Sequence, residues 1–199
     1  QKALTLGTNP LPSVGGQPHA VRPIKFMTPD KITKLIDTDE IIPRDLILSW
    51  MQEKDLEIRG AVYTLTSKAW YRIQPELTKE EQCYFMLHYL LDCIREDNQE
   101  PEWSHTGFDA AYEFERWLKH LGKNPEAEDI IVAAARELTA TYRAGGEKLK
   151  ERIVTGALEH VFEARSLRRF FAEWRAAPDL KDAYDRCVEW GDAFENAIW

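Results

Sequence analysis

Few residues in this chain stand in a pattern that can do chemistry, and the most suggestive pair lies inside one apolar stretch. Between Cys83 and Ile94, ten of twelve residues are apolar or aromatic, and only His88 and Asp92 interrupt them. Four positions apart, these two share a face if the stretch is helical. An imidazole beside a carboxylate can hydrogen-bond, move a proton or begin a metal site. A buried pair of this kind would point to catalysis. The simpler expectation is that the two residues are the narrow solvent-facing strip of a helix covered on its other sides. Neither an H-x-x-x-H string nor an H-D doublet occurs, so the zincin and HD-phosphohydrolase patterns are absent. His105, His120 and His160 are scattered along the chain.

Carboxylates are plentiful but unpatterned. Glu126 and Asp129 share a helical face, yet no second acidic helix pairs with them, and a first-turn acid is explained by the helix dipole. The sequence therefore predicts no metal and no cofactor. Residues 165–175, RSLRRFFAEWR, are of another kind, because four arginines surround Phe170, Phe171 and Trp174 in an acidic chain. Arginine with aromatics is the composition of binding hot spots. On this basis Arg165, Arg168, Arg169 and Trp174 are candidate contacts, against the plainer reading of aromatic core and solvated arginines. Trp103 and His105, near Phe108, form a candidate recognition loop. Trp190 and Trp199 are candidate exposed aromatics.

These groups need elements to position them. With 199 residues, 44% hydrophobic and 30% charged, the chain suits one soluble domain with a real core. A capping box, Thr78 with Glu81, predicts a central helix over 79–97. Upstream, Thr28-Pro29 opens a short helix and Pro43 a second. Ile58, Val62, Leu65, Ala69 and Ile73 recur at intervals of four, three, four and four, predicting a helix that ends before Pro75. Downstream, the spacing predicts helices over 107–121 with Phe108 and Tyr112 inward, then from Asn124-Pro125 to Gly145, and onward from Glu147 with Gly156 inside. Ser166 and Pro178 open the last two, and the final helix is expected to bury Phe194. Gly122 is expected to take a positive φ at a helix end. The fold class is all-α: a single compact bundle of about eight helices over 27–199 around the helix at 79–97. Residues 1–26, rich in Pro and Gly, read as an extended or disordered arm, either an upstream extension or added sequence.

The net charge of −8 argues against nucleic-acid binding. No run approaches the roughly 18 apolar residues of a membrane span. Cys83, Cys93 and Cys187 form no CxxC pair, which suits a reducing compartment, the cytoplasm.

The stretches VTGALEHVFE and RRFFAEWRAAPDLKDAYDRCVEW resemble the ends of small acidic helical proteins of uncharacterised bacterial families. Some of these neighbour secreted toxins and are taken to be cytoplasmic immunity proteins. The resemblance implies a non-enzymatic, cytoplasmic, bacterial protein-binding domain that inhibits a partner, a basic toxin, by occlusion; it carries over no catalytic residue. Two other readings remain open: an all-helical metal-dependent nucleotide or phosphoester hydrolase built on His88 and Asp92, and an adaptor or structural subunit using the arm. The partner's identity and the oligomeric state are not written in these residues.

Overall fold

Local signals place most element boundaries in the computed structural model, which describes residues 27–197; the arm before Met27 and the terminal Trp199 lie outside the described residues. The described residues form nine helices and two short strands. Helix α1 (Pro29–Lys34) has Pro29 in its first turn and tightens into a 3-10 turn, Leu35–Asp37. Strand β1 (Ile42–Pro43) leads straight into α2 (Arg44–Met51). Asp55 caps α3 (Leu56–Ala69) by accepting from the amides of Glu57 and Ile58. The helix expected to reach Pro75 stops here, because two tertiary contacts claim the next residues. Arg72, in the 3-10 turn Trp70–Arg72, donates to the Leu35 carbonyl and to Thr38 Oγ1. Strand β2 (Ile73–Gln74) then pairs in parallel with β1, Ile42 opposite Ile73.

The capping box forms as the sequence predicts. Thr78 Oγ1 accepts from the Glu81 amide at 3.1 Å, and the Glu81 carboxylate accepts from the Thr78 amide at 2.9 Å. It starts α4 (Lys79–Glu96), which Asp97 closes at φ 52°. Thr106 caps α5 (Gly107–Leu121). A 3-10 turn, Pro125–Ala127, feeds α6 (Glu128–Ala144). Gly122 departs from expectation, since its φ is −60°. Packing demands the glycine instead: a Cβ there would stand 2.8 Å from Leu167 Cδ2.

Helix α7 covers 147–161 and contains a π turn, Val154–Leu158. Its spacing explains this turn. Ile153, Ala157 and Val161 are buried, as are Val154, Leu158 and Phe162, so the apolar stripe advances by four residues each time. An α-turn holds about 3.6 residues, so such a stripe drifts around the helix. A wider i→i+5 turn in the middle absorbs the excess. Gly156 sits at that turn, where a Cβ would meet Ala111 Cβ at 2.8 Å, so α5 and α7 lie close there. A 3-10 run, Arg165–Phe171, follows in place of the expected helix start at Ser166; α8 (Ala172–Ala176) and α9 (Pro178–Ala197) complete the chain.

Helix α4 is the axis of this arrangement. It packs against α3, α5, α6 and α7, and Tyr89, Leu90, Leu91, Cys93 and Ile94 on it are fully buried. Among the described residues, no helix is long and apolar enough to cross a membrane.

Candidate functional site

Within 87–94, His88 and Asp92 are the two half-buried positions among buried ones, as the solvent-strip expectation has it, and Asp92 is engaged there. Asp92 accepts from Arg59 of α3 at 2.9 Å and from Arg95 at 2.7 Å. Arg95 reaches on to Thr141 of α6 at 2.6 Å, so Asp92 is the middle of a polar tie across three helices. Among the described residues no hydrogen bond joins His88 to it. The His88 ring lies 4.2 Å from that of Tyr84, and burial holds its pKa below the ordinary histidine value despite the Asp92 charge. With both carboxylate oxygens taken by guanidiniums, Asp92 fastens three helices, and His88 packs beside Tyr84.

The loop carrying Trp103 and His105 is equally fastened. Glu57 of α3 accepts from the Trp103 amide at 2.6 Å, the Ser104 amide at 3.2 Å and the Ser104 hydroxyl at 2.7 Å. Gly60, one turn on, lets the loop backbone lie against α3: a Cβ there would stand 2.3 Å from the Trp103 carbonyl oxygen. His105 turns inward, its Nδ1 2.8 Å from the Tyr89 hydroxyl and its ring edge-on to Tyr63 at 5.0 Å. Tyr63 in turn donates to Glu113 at 2.8 Å. Burial pushes His105 below the ordinary histidine value and the thiol of Cys93, nearby, above that of a free cysteine. Glu102 and His105 do spell E-x-x-H, but on a loop, with the histidine already engaged. Trp103 and His105 thus belong to an internal clasp, which the sequence reading missed because Glu57 and Gly60 look like ordinary helix residues.

The arginine-rich segment divides. Trp174 must be corrected: it is fully buried, its indole N–H donates to Thr139 Oγ1 at 2.6 Å, and Tyr142 and Phe171 flank it. The aromatics of this segment recur at helical spacing because they are core, so Trp174 can touch no partner. Arg168 is turned in as well, donating to the Phe162 carbonyl at 2.7 Å and to Asp192 at 2.9 Å. Arg165 lies outside, 3.5 Å from Asp192. Arg169 is exposed, pairs with Glu128 at 3.2 Å and covers the Phe170 ring at 4.7 Å. Arg169 and Phe170 line a small cleft of about 150 Å³ with Gly122, Asn124, Pro125 and Glu128.

Trp190 fares differently, because the fold brings company to it. Its ring lies 6.0 Å from that of His160, and the His160 ring lies 5.7 Å from Tyr112. Three helices, α5, α7 and α9, therefore lay Tyr112, His160 and Trp190 side by side. Phe108, one turn before Tyr112, and Phe194, one turn after Trp190, extend the row. Exposures of 44% for Phe108, 41% for Tyr112, 46% for Trp190 and 45% for Phe194 correct the expectation that Phe108, Tyr112 and Phe194 are internal. Beside the row, Lys119 Nζ holds Glu115 and Glu163 at 2.7 Å each, and His160 Nδ1 is 2.9 Å from Glu163. Burial works against the charge on Lys119, yet its two carboxylates outweigh that and hold its pKa above the ordinary lysine value. A lysine so held is no nucleophile; it is the pin that fixes His160's partner. The i,i+4 spacing of Glu115 and Lys119 was readable in the sequence, whereas the arrival of α7 and α9 beside them was not.

Among the described residues no group of His, Cys, Asp and Glu is arranged to hold a metal ion. What the fold does assemble is an aromatic surface across α5, α7 and α9. No family model, curated protein or solved structure matches the chain.

Proposed function

We propose that the chain is a non-enzymatic, cytoplasmic protein-binding domain that inhibits a basic partner by covering it, as immunity proteins cover toxins. One observation carries this reading: the row of exposed Phe108, Tyr112, Trp190 and Phe194 around a half-buried His160, built jointly by three helices. Large, half-exposed aromatics on a rigid support are the residues that dominate interface energies. An overall charge of −8 favours encounter with a basic protein. The hydrolase reading has less support, because both oxygens of Asp92 are engaged by arginines.

The test is co-expression with a basic toxin encoded beside the chain's gene. Growth protection and a co-eluting complex are expected, and Y112A/W190A should weaken binding at least tenfold with the melting temperature unchanged. Protection that survives this double substitution would remove the row from the interface.

A further inference from the structure

Most carboxylates around the His160 row are already engaged within the chain, although Glu189 beside Trp190 is exposed with no ion pair among the described residues. Glu115 and Glu163 hold Lys119, Glu151 and Glu159 hold Arg186, and Asp192 holds Arg168. A denser group of unclaimed acids stands elsewhere. They occur at the opposite end of the chain, beside the most exposed aromatic pair. Trp70 and Tyr71 are 58% and 60% exposed, with rings edge-on at 6.2 Å, and Ile41 is 68% exposed. The segment from Asp37 to Ile41 carries three acids, Asp37, Asp39 and Glu40, and no base. All three are exposed, and none has an ion pair or side-chain hydrogen bond among the described residues.

Two contacts bring this segment beside the aromatics. Arg72 donates to the Leu35 carbonyl and to Thr38 Oγ1, and Ile73 pairs with Ile42. Residues 37–41 are thus tied at both ends to the residues that directly follow Trp70 and Tyr71. Both strands and both ties use backbone or buried groups, so the aromatic rings are left without structural work. The bases nearest in sequence are Lys34, three residues before Asp37, Lys68 on α3, and Arg72, whose guanidinium is engaged by Leu35 and Thr38.

We infer that Ile41, Trp70 and Tyr71, with Asp37, Asp39 and Glu40, form a docking surface for an arginine-bearing segment of a basic protein. The chemistry is complementary on both counts. A guanidinium stacks on an indole or phenol face and keeps its N–H groups for a neighbouring carboxylate. The unclaimed acids supply that carboxylate without breaking an internal ion pair. This surface stands independently of the row, so the two can fail separately.

The probe is an acetylated, amidated Arg-Ala-Arg-Ala-Arg peptide titrated into the 15N-labelled chain. The indole N–H of Trp70, assigned by its loss in W70F, should shift saturably together with amides of residues 38–42 and 70–74. W70A/Y71A and D37N/D39N/E40Q should each weaken binding at least tenfold, while W190A stays within twofold. Because all five substituted positions are exposed, either variant suffices if the other melts early. Shifts centred on Trp190, shifts that never saturate, or unchanged affinity in the folded variants would overturn the inference. So would a molecular mass that doubles without peptide and returns to one chain in W70A/Y71A, since the patch would then take a second copy.

Discussion

Glu57 holds the 98–106 loop through three hydrogen bonds from Trp103 and Ser104 and a fourth from Asn98 at 3.1 Å. Burial opposes its ionisation, but the bonds from Ser104 and Trp103 outweigh that and hold its pKa below the ordinary glutamate value. A carboxyl with a lower pKa folded than unfolded contributes stability that is complete above the unfolded value. That stability is lost as the pH falls through the folded value. Urea midpoints should therefore decline below about pH 4.5, near the ordinary glutamate pKa, and E57Q should lower the midpoint at pH 7 and flatten this decline. His105 and His88 add a second limb, because burial lowers both pKa values. The unfolded chain takes their protons first, so stability falls as the pH drops below about 6.5. H88Q/H105Q should flatten the limb that begins below about pH 6.5; a double variant as pH-sensitive as the parent there would refute it. Trp174 is a third residue-scale case. W174F keeps most of the ring volume and removes one bond to Thr139 Oγ1, which still donates to the Ala135 carbonyl, so a loss of about 0.5–1.5 kcal/mol is expected in denaturant unfolding, and about 3–5 kcal/mol for W174A.

At the scale of elements, starts were easier to read than ends. Thr78 with Glu81, Asp55 and Asn124 are caps in which a side chain answers its own neighbouring amides, so the sequence contains both partners. The end of α3 was not legible, because Arg72 and Ile73 are recruited by residues thirty or more positions away. The π turn was half legible. Its four-residue stripe was visible, but a stripe alone does not say whether the helix widens or simply drifts. Inward and outward faces failed at Phe108, Tyr112 and Phe194 for a similar reason: amphipathic spacing marks a face, and only the neighbouring helices decide how far it is covered. Two substitutions test these points. G60A would press a Cβ into the Trp103 carbonyl, so we expect a cost of about 1–3 kcal/mol and faster hydrogen exchange over 98–106 than in the parent. Deleting Thr155 removes the surplus residue from the π turn. The remaining stripe, then spaced four, three and four, should wind as plain α-helix and keep His160 beside Trp190, seen as retained ring-current shifts between the two side chains. Loss of the His160–Trp190 contact in a folded deletion variant would mean that the wide turn does more than absorb a surplus residue.

Across the whole molecule, basic residues are mostly given to internal fastening, while the acidic surplus faces outward. With 26 Lys and Arg against 34 Asp and Glu, most arginines seen here bind a carboxylate or a backbone carbonyl of another element. This division was hidden from the sequence, where the arginines of 165–175 looked like contact residues and Asp37, Asp39 and Glu40 looked like an ordinary polar connection.

The uneven burial of the indoles has an optical consequence. Trp174 and Trp50 are sealed at 0% and 4% exposure, whereas Trp70 and Trp190 stand open at 58% and 46%. Acrylamide should therefore quench one fraction of the native emission readily, with a red-shifted spectrum, and leave a blue fraction untouched until unfolding. W70F should remove part of the accessible fraction and W174F part of the protected one. The chain thus carries separate built-in lamps for its core and for its surface, and a ligand that shields only the red component reports binding without any label.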